Sequence, residues 1–287
     1  MRRNKAIIIR YGELGLKGKN RFIFEKQLVT NLELCLDHHN LSYASVERPR
    51  GRIIVYLNEQ LHTRHIRFLE NIPGITSYSL AYIASPNQED ICEAVLYTVS
   101  DWLNSNATFR VSVNRADKNF QTASNDLERL LGSKIVEKTQ AIVNLTDYVY
   151  NVCVDIVGGK AFVFLENKKG NPGMGGLPVG VTGKTAVFVS SENSVETARL
   201  MLKRGCEIVL VSDEGYKIES AVNELQKHVC GQKIEFFKID SLHNLPAALK
   251  QKGLDVVAFD ASYNRIYKYN DVIKDKDILA LFPMAFS

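Results

Sequence analysis

The sequence predicts an α+β N-terminal part followed by a small α/β domain with a mainly parallel sheet. Three observations carry this reading. Residues 6–83 run strand, helix, strand, strand, helix, strand; residues 88–165 mix both patterns again; and after residue 184 strand and helix patterns alternate one for one.

Side-chain periodicity justifies the elements in order. Ala6–Arg10 is a short apolar run, and Lys19–His38 places Phe24, Leu28, Leu32, Cys35 and Leu36 at helical spacing on one stripe. Arg52–Leu57 is rich in β-branched residues. Thr63–Glu70 is a short helix candidate ended by Pro73-Gly74, and Thr76–Ile83 is a further strand. That order is a ferredoxin-like pattern. Gln88–Leu103 then has helical periodicity and Thr108–Asn114 alternates like a half-buried strand. Asn125 and Glu128 suggest a capping box for the helix that carries Leu127, Leu130, Leu131 and Ile135. Val149–Ile156 and Ala161–Leu165 flank Gly158-Gly159, a two-residue hairpin turn. Asn167–Gly183 holds six of the 18 glycines and two prolines, a linker or a functional loop. Beyond it, strands are expected over 185–189, 207–212, 234–239 and 254–259, with helices over 194–204, 217–229 and 243–252. Such βαβα succession implies a parallel sheet.

Composition bounds the function. In 287 residues, 45% hydrophobic and 24% charged is ordinary for a globular protein. No apolar run approaches the ~20 residues that cross a bilayer, and the apolar stretch after the charged start is too short for a signal segment, so a cytoplasmic protein with no membrane partner is expected. Cys35, Cys92, Cys153, Cys206 and Cys230 are widely spread with no C-x-x-C, which argues against a disulfide framework and a zinc site. His62 and His65 lack a supporting carboxylate or cysteine cluster, so no metal is expected. The net charge of +4 is unevenly placed. Residues 1–52 hold 11 Lys+Arg against 5 Asp+Glu, whereas residues 171–287 hold 14 of each. Such asymmetry suits a nucleic-acid contact, with a solvated basic face as the alternative.

Four blocks carry chemistry. Arg10 to Arg21 (RYGELGLKGKNR) joins a strand to a helix through three glycines and sets Lys17, Lys19, Asn20 and Arg21 at the helix N-terminus, where backbone N–H groups and the helix dipole favour phosphate. Arg48, Arg50 and Arg52 surround Pro49 and Gly51 on a turn that can present guanidinium forks. Arg115-Ala116-Asp117-Lys118-Asn119-Phe120 again puts basic side chains between a strand and a helix. The fourth block is Gly175-Gly176-Leu177-Pro178-Val179-Gly180-Val181-Thr182-Gly183-Lys184.

Taken in this order, the blocks resemble the tRNA 4-thiouridine synthetases, a tRNA sulfurtransferase family linked to thiamine biosynthesis, over about residues 6–211. The resemblance implies a ferredoxin-like domain and a THUMP domain that grip tRNA near its acceptor end. It also implies a domain that binds ATP, adenylates a uridine oxygen and lets a persulfide sulfur replace it. Arg10, Lys17, Lys19, Asn20, Arg21, Arg115 and Lys118 match the family's motifs; with Arg50 and Arg52 they are the candidate RNA contacts.

The family's chemistry needs a loop of the type S-G-G-x-D-S, whose glycines let backbone N–H groups approach pyrophosphate. Here the stretch is Ser190-Ser191-Glu192-Asn193-Ser194, without either glycine or the aspartate, and Glu192 adds negative charge where polyphosphate would sit. The region after the loop is only about a hundred residues, short for such a domain, and no cysteine pair suits a persulfide relay. No catalytic residue is assigned and no cofactor is expected, with ATP the exception if the degenerate loop retains it. The serine hydroxyls could still meet phosphate oxygens. The motifs of methyltransferases and zinc deaminases are absent.

The expected organisation is a ferredoxin-like domain over 1–75, a THUMP domain over 76–170, a Gly-rich linker over 171–183 and a shortened α/β domain over 184–287. The expected function is tRNA binding without independent thiolation, in concert with a partner that supplies sulfur or ATP chemistry. An active tRNA sulfurtransferase and a non-RNA scaffold are the alternatives.

Overall fold

The structure, a computed structural model, describes residues 4–12, 20–49, 51–117, 120–168, 170–213, 218–260, 266–274 and 276–284. Lys17, Lys19, Arg50 and Lys118 therefore lie outside the described residues. The chain forms two compact units that interleave in sequence. One comprises Met1–Arg10, Ser42–Arg67 and Ser77–Pro172; the other comprises Tyr11–Leu41, Phe68–Thr76 and Gly173–Ser287.

The first unit is built on one eight-stranded sheet. Its strands are β1 (Lys5–Arg10), β2 (Tyr43–Glu47), β3 (Ile53–Leu57), β4 (Ser77–Ala84), β5 (Thr108–Arg115), β6 (Ile142–Val143), β7 (Tyr150–Val157) and β8 (Lys160–Asn167). They lie in the order β2-β3-β1-β4-β8-β7-β5-β6. Strand β4 pairs antiparallel with both β1 and β8, so one sheet joins strands from either side of residue 76. The ferredoxin-like strands and the later strands share one hydrogen-bonded layer.

Two helices of this unit, α2 (Gln88–Val99) and α3 (Ser124–Thr139), bury Ile91, Val95, Val99, Leu127, Leu131 and Ile135 with Val152, Val154 and Val163 of the sheet. Each such side chain contributes roughly 1.5–3 kcal/mol. Asn87 caps α2 by accepting from the Asp90 N–H at 2.9 Å. The capping box expected for α3 does not form. The helix already starts at Ser124, its cap position is Ala123, and Glu128 instead accepts from the Val113 N–H of β5 at 2.8 Å. A half-buried β5 amide takes the carboxylate that a local cap would use. At the hairpin between β7 and β8, Gly158 and Gly159 have φ of +62° and +69°, the left-handed pair that a tight hairpin turn requires.

The second unit contains a five-stranded parallel sheet of β9 (Lys184–Phe188), β10 (Glu207–Asp213), β11 (Glu235–Ile239), β12 (Val256–Phe259) and β13 (Leu279–Leu281), ordered β11-β10-β9-β12-β13. Helices α1 (Arg21–His38), α4 (Asn193–Lys203), α5 (Ile218–Leu225), α6 (Leu245–Gln251) and α7 (Ile266–Ile273) belong to the same unit. Successive residues of β9 enter opposite cores: Val187 packs with Met201, Leu202 and Ile218, and Phe188 with Leu249, Phe259 and Tyr269. Burial on both faces explains the unbroken apolar runs of these strands. The expected strands and helices are present. Helix α7 and strand β13, which the sequence reading does not anticipate, complete the sheet edge. Thr63–Glu70, expected as a short helix, lies within a 3-10 helix over Thr63–Asn71.

The Gly-rich stretch is tied down within the second unit. Gly173 and Gly175 donate to the Thr76 and Ile75 carbonyls, Leu177 to Lys203 and Gly180 to Gly205. A Cβ on Gly176, at φ +78°, would stand 2.1 Å from the Lys203 carbonyl oxygen. From α1, Asn31 donates to the Val179 carbonyl at 3.0 Å. Cys35 of α1 and Cys230 form a disulfide with Cα atoms 4.6 Å apart. This corrects the expectation of no disulfide: cysteines 195 residues apart in sequence meet only through the tertiary fold. Among the described residues no helix is long and apolar enough to cross a membrane, and no cluster of three or more metal-ligating side chains exists.

Candidate functional site

In an open parallel sheet, ligands bind beyond the carboxyl ends of the strands where the strand order reverses. In the second unit that point lies between β9 and β12, the first and fourth strands of the sheet by sequence. The stretch Ser190–Ser194 follows β9 there and leads into α4, and Asp260 follows β12. The loop is closed upon itself. Ser194, fully buried, accepts from the Ser190 and Ser191 backbone N–H groups at 3.0 and 3.1 Å. Its hydroxyl donates to Asp260 Oδ2 at 2.7 Å. Ser191 Oγ donates to the same oxygen at 2.5 Å, and Ser190 Oγ to Oδ1 at 3.2 Å. The Asn193 N–H is taken by Ser191 Oγ at 3.1 Å. Three hydroxyls donate to one carboxylate and in turn accept from three backbone amides, a network at a helix N-terminus, which favours negative charge. Glu192 is exposed beside it.

The described basic candidates fall into separate settings. On the sheet of the first unit, Arg10 Nη1 donates to Ser79 at 2.8 Å and lies 3.6 Å from Glu166, and its Nη2 lies 3.7 Å from Asp155. Arg52 hydrogen-bonds the same Asp155, and its Nε is buried without a partner. Burial pushes the Asp155 carboxyl up from its ordinary value, and the guanidinium groups of Arg52 and Arg10 pull it back down. Burial, helped by Glu166 and Asp155, also pushes the neighbouring Cys153 thiol far up, so no reactive thiolate stands there. Arg115 Nη1 closes its own loop by donating to the Phe120 and Thr122 carbonyls at 2.7 and 2.9 Å. In the second unit, Arg21 donates to Glu25 at 2.6 Å and to the Tyr11 hydroxyl at 2.8 Å, contacts that raise its pKa, the Glu25 bond most. Asn20 occupies the cap position of α1 without a side-chain cap bond.

Family comparison extends this picture. Residues 6–79 match the ThiI ferredoxin-like domain model and residues 86–166 match the THUMP domain model. The chain is 34% identical over 207 residues to a probable tRNA sulfurtransferase of Geobacillus sp. and 30% identical over 245 residues to one of Thermococcus kodakarensis. The chain belongs to the tRNA 4-thiouridine synthetase (tRNA sulfurtransferase) family. Those matches cover 71% and 82% of this chain but 50% and 63% of the relatives, so it spans about half to two-thirds of their length. Two solved structures share the fold. PH1313 from Pyrococcus horikoshii Ot3 superposes with a TM-score of 0.87 at 25% identity, covering 99% of this chain and 95% of that one. A 4-thiouridine synthetase–RNA complex with bound ATP gives 0.81 at 20% identity, covering 98% and 81%.

The sequence reading names Ser190–Ser194 but not Asp260, to which the three serine hydroxyls donate. The available signal was positional: Asp260 directly follows the expected strand 254–259, on the carboxyl side where site residues of parallel sheets gather. Only the strand order shows that this strand lies next to β9.

Proposed function

We propose that this family member binds tRNA and does not by itself carry out ATP-dependent thiolation. One observation carries the second half: the loop after β9 directs its serine hydroxyls to Asp260, and Ser194 takes two of its backbone N–H groups. Pyrophosphate would have to displace an internal carboxylate from donors that already satisfy it, with Glu192 alongside. The first half rests on the THUMP and ThiI ferredoxin-like domains and on the basic excess of residues 1–52. Lys17, Lys19, Arg50 and Lys118, with Arg10, Asn20, Arg21, Arg52 and Arg115, are the proposed backbone contacts. In this reading the chain works in the cytoplasm and presents tRNA to a partner that supplies ATP chemistry or sulfur.

An active sulfurtransferase is the second reading. It is favoured by the position of the loop at the reversal of strand order and by the bound ATP described for the similar 4-thiouridine synthetase complex. Direct binding of ATP and of unfractionated tRNA to the purified chain, across a salt series, separates the two. The expected result is salt-sensitive tRNA binding with no ATP binding up to millimolar concentrations. ATP binding that Asp260→Asn strengthens would still fit a loop blocked by its carboxylate. Micromolar ATP binding by the unaltered chain would overturn the proposal, and absence of tRNA binding would leave a non-RNA scaffold.

A further inference from the structure

The first unit holds a cavity of about 450 Å³, within the ~300–1,000 Å³ range of small-ligand sites, and none of the candidate basic residues lines it. Its walls are aromatic. Tyr82 and Tyr97 meet edge-on with centroids 5.1 Å apart, and Trp102 and Tyr150 meet at 6.4 Å. Trp102 and Tyr97 remain 57% and 48% exposed, so each keeps a large apolar surface in water at the cavity. A core would bury these rings.

The polar groups narrow the class of ligand. Lys5 is 8% exposed, donates once to the Leu61 carbonyl at 2.7 Å and sits 5.0 Å over the Tyr82 ring. An ammonium carries three donors, so this one is under-compensated, and burial lowers its pKa. It therefore welcomes an acceptor and repels an organic cation, the other usual guest of aromatic walls. Asp101, also on the lining, repels an anion and welcomes a donor, whereas the lining's other carboxylate, Glu166, already takes the Ser79 hydroxyl and faces the Arg10 guanidinium. A flat, neutral heterocycle with both donors and acceptors on its edge satisfies all three demands, and a nucleobase is such a heterocycle. Bases held inside a duplex present no free face, so the guest must be unpaired.

We propose that this cavity receives an unpaired nucleobase of the bound RNA, stacked on Trp102 and Tyr97, with its edge met by Lys5 and Asp101. The proposal rests on the tRNA-binding reading and adds a stacking site to its backbone contacts. Stacking tolerates any base, so the site would register strand state more than sequence.

Trp102 is the only tryptophan of the chain, so intrinsic tryptophan fluorescence reports this cavity alone. A mixed-sequence single-stranded octaribonucleotide should quench it saturably, and a blunt RNA duplex of equal charge should not. Trp102→Ala should weaken tRNA binding about ten-fold, and Trp102→Phe, which keeps a ring, by less than about three-fold. Equal quenching by the duplex, no quenching by the octamer, or unaltered tRNA affinity in Trp102→Ala would each overturn the proposal. The tRNA reading is judged separately by the salt-dependent affinity of the unaltered chain. Firm tRNA binding with a silent Trp102 sinks only the cavity, and loss of all RNA binding sinks both.

Discussion

Asp260 shows how one residue can decide a loop. Its carboxylate accepts three hydroxyls, so Asp260→Ala leaves Ser190, Ser191 and Ser194 to rearrange and should cost about 2 kcal/mol in denaturant unfolding. Glu192→Gln on the exposed side should stay within about 0.5 kcal/mol. Asp155 offers a second case. It joins the guanidinium groups of Arg10 and Arg52, and Asp155→Ala should destabilise by roughly 3 kcal/mol because two cations lose their shared partner. His228 sets a pH limit. It is buried, its Nδ1 lies 2.8 Å from the Asn71 carbonyl, and burial holds its pKa below the ordinary 6.5. The unfolded chain then binds a proton that the folded chain refuses. The His228 contribution is full above pH about 6.5 and is lost as pH falls through the folded value. Urea midpoints at pH 7.5 and 5.5 should differ in that direction, and the difference should shrink in His228→Asn.

At the scale of elements, the Gly-rich stretch is the clearest case of sequence explained by packing. Read as composition it is a linker; in the fold its amides pair with residues 75, 76, 203 and 205. Gly176→Ala meets both a left-handed φ and a carbonyl oxygen at 2.1 Å, so a loss of at least about 2 kcal/mol is expected from thermal or denaturant melts. The disulfide ties α1 to the turn that follows α5 within the same unit. Thiol titration of the unreduced, denatured chain should find three free cysteines, Cys92, Cys153 and Cys206. Five would refute the bond. Periodicity recovers most elements because the buried stripes of α1 to α3 and the apolar runs of the parallel strands are local signals. The missed ones, β6, α7 and β13, are short, and both strands lie at sheet edges.

For the whole molecule, the useful quantity is where charge sits. The N-terminal 52 residues hold the basic excess and the last 117 are balanced, so RNA affinity should fall steeply with salt. Replacing Lys17 and Lys19 together by Gln should lower the slope of log affinity against log salt by about two and leave the unfolding midpoint unchanged. Arg52→Gln and Arg115→Gln should lower the slope and also cost stability, because those side chains hold Asp155 and the Phe120 and Thr122 carbonyls. A double readout therefore tells side chains that meet only phosphate from those that also hold the fold, which the motifs alone group together.

The sequence by itself determined the fold class and the family, because periodicity, glycine spacing and motif order are properties of neighbouring residues. Tertiary structure alone decided which side chains are already engaged, that Asp260 closes the loop, that Cys35 meets Cys230, and that four aromatic rings line one cavity with Lys5. The physical reason is the same in each case. These contacts join residues up to 195 positions apart, and a chain pattern of period two or 3.6 holds no information about which distant strand becomes its neighbour.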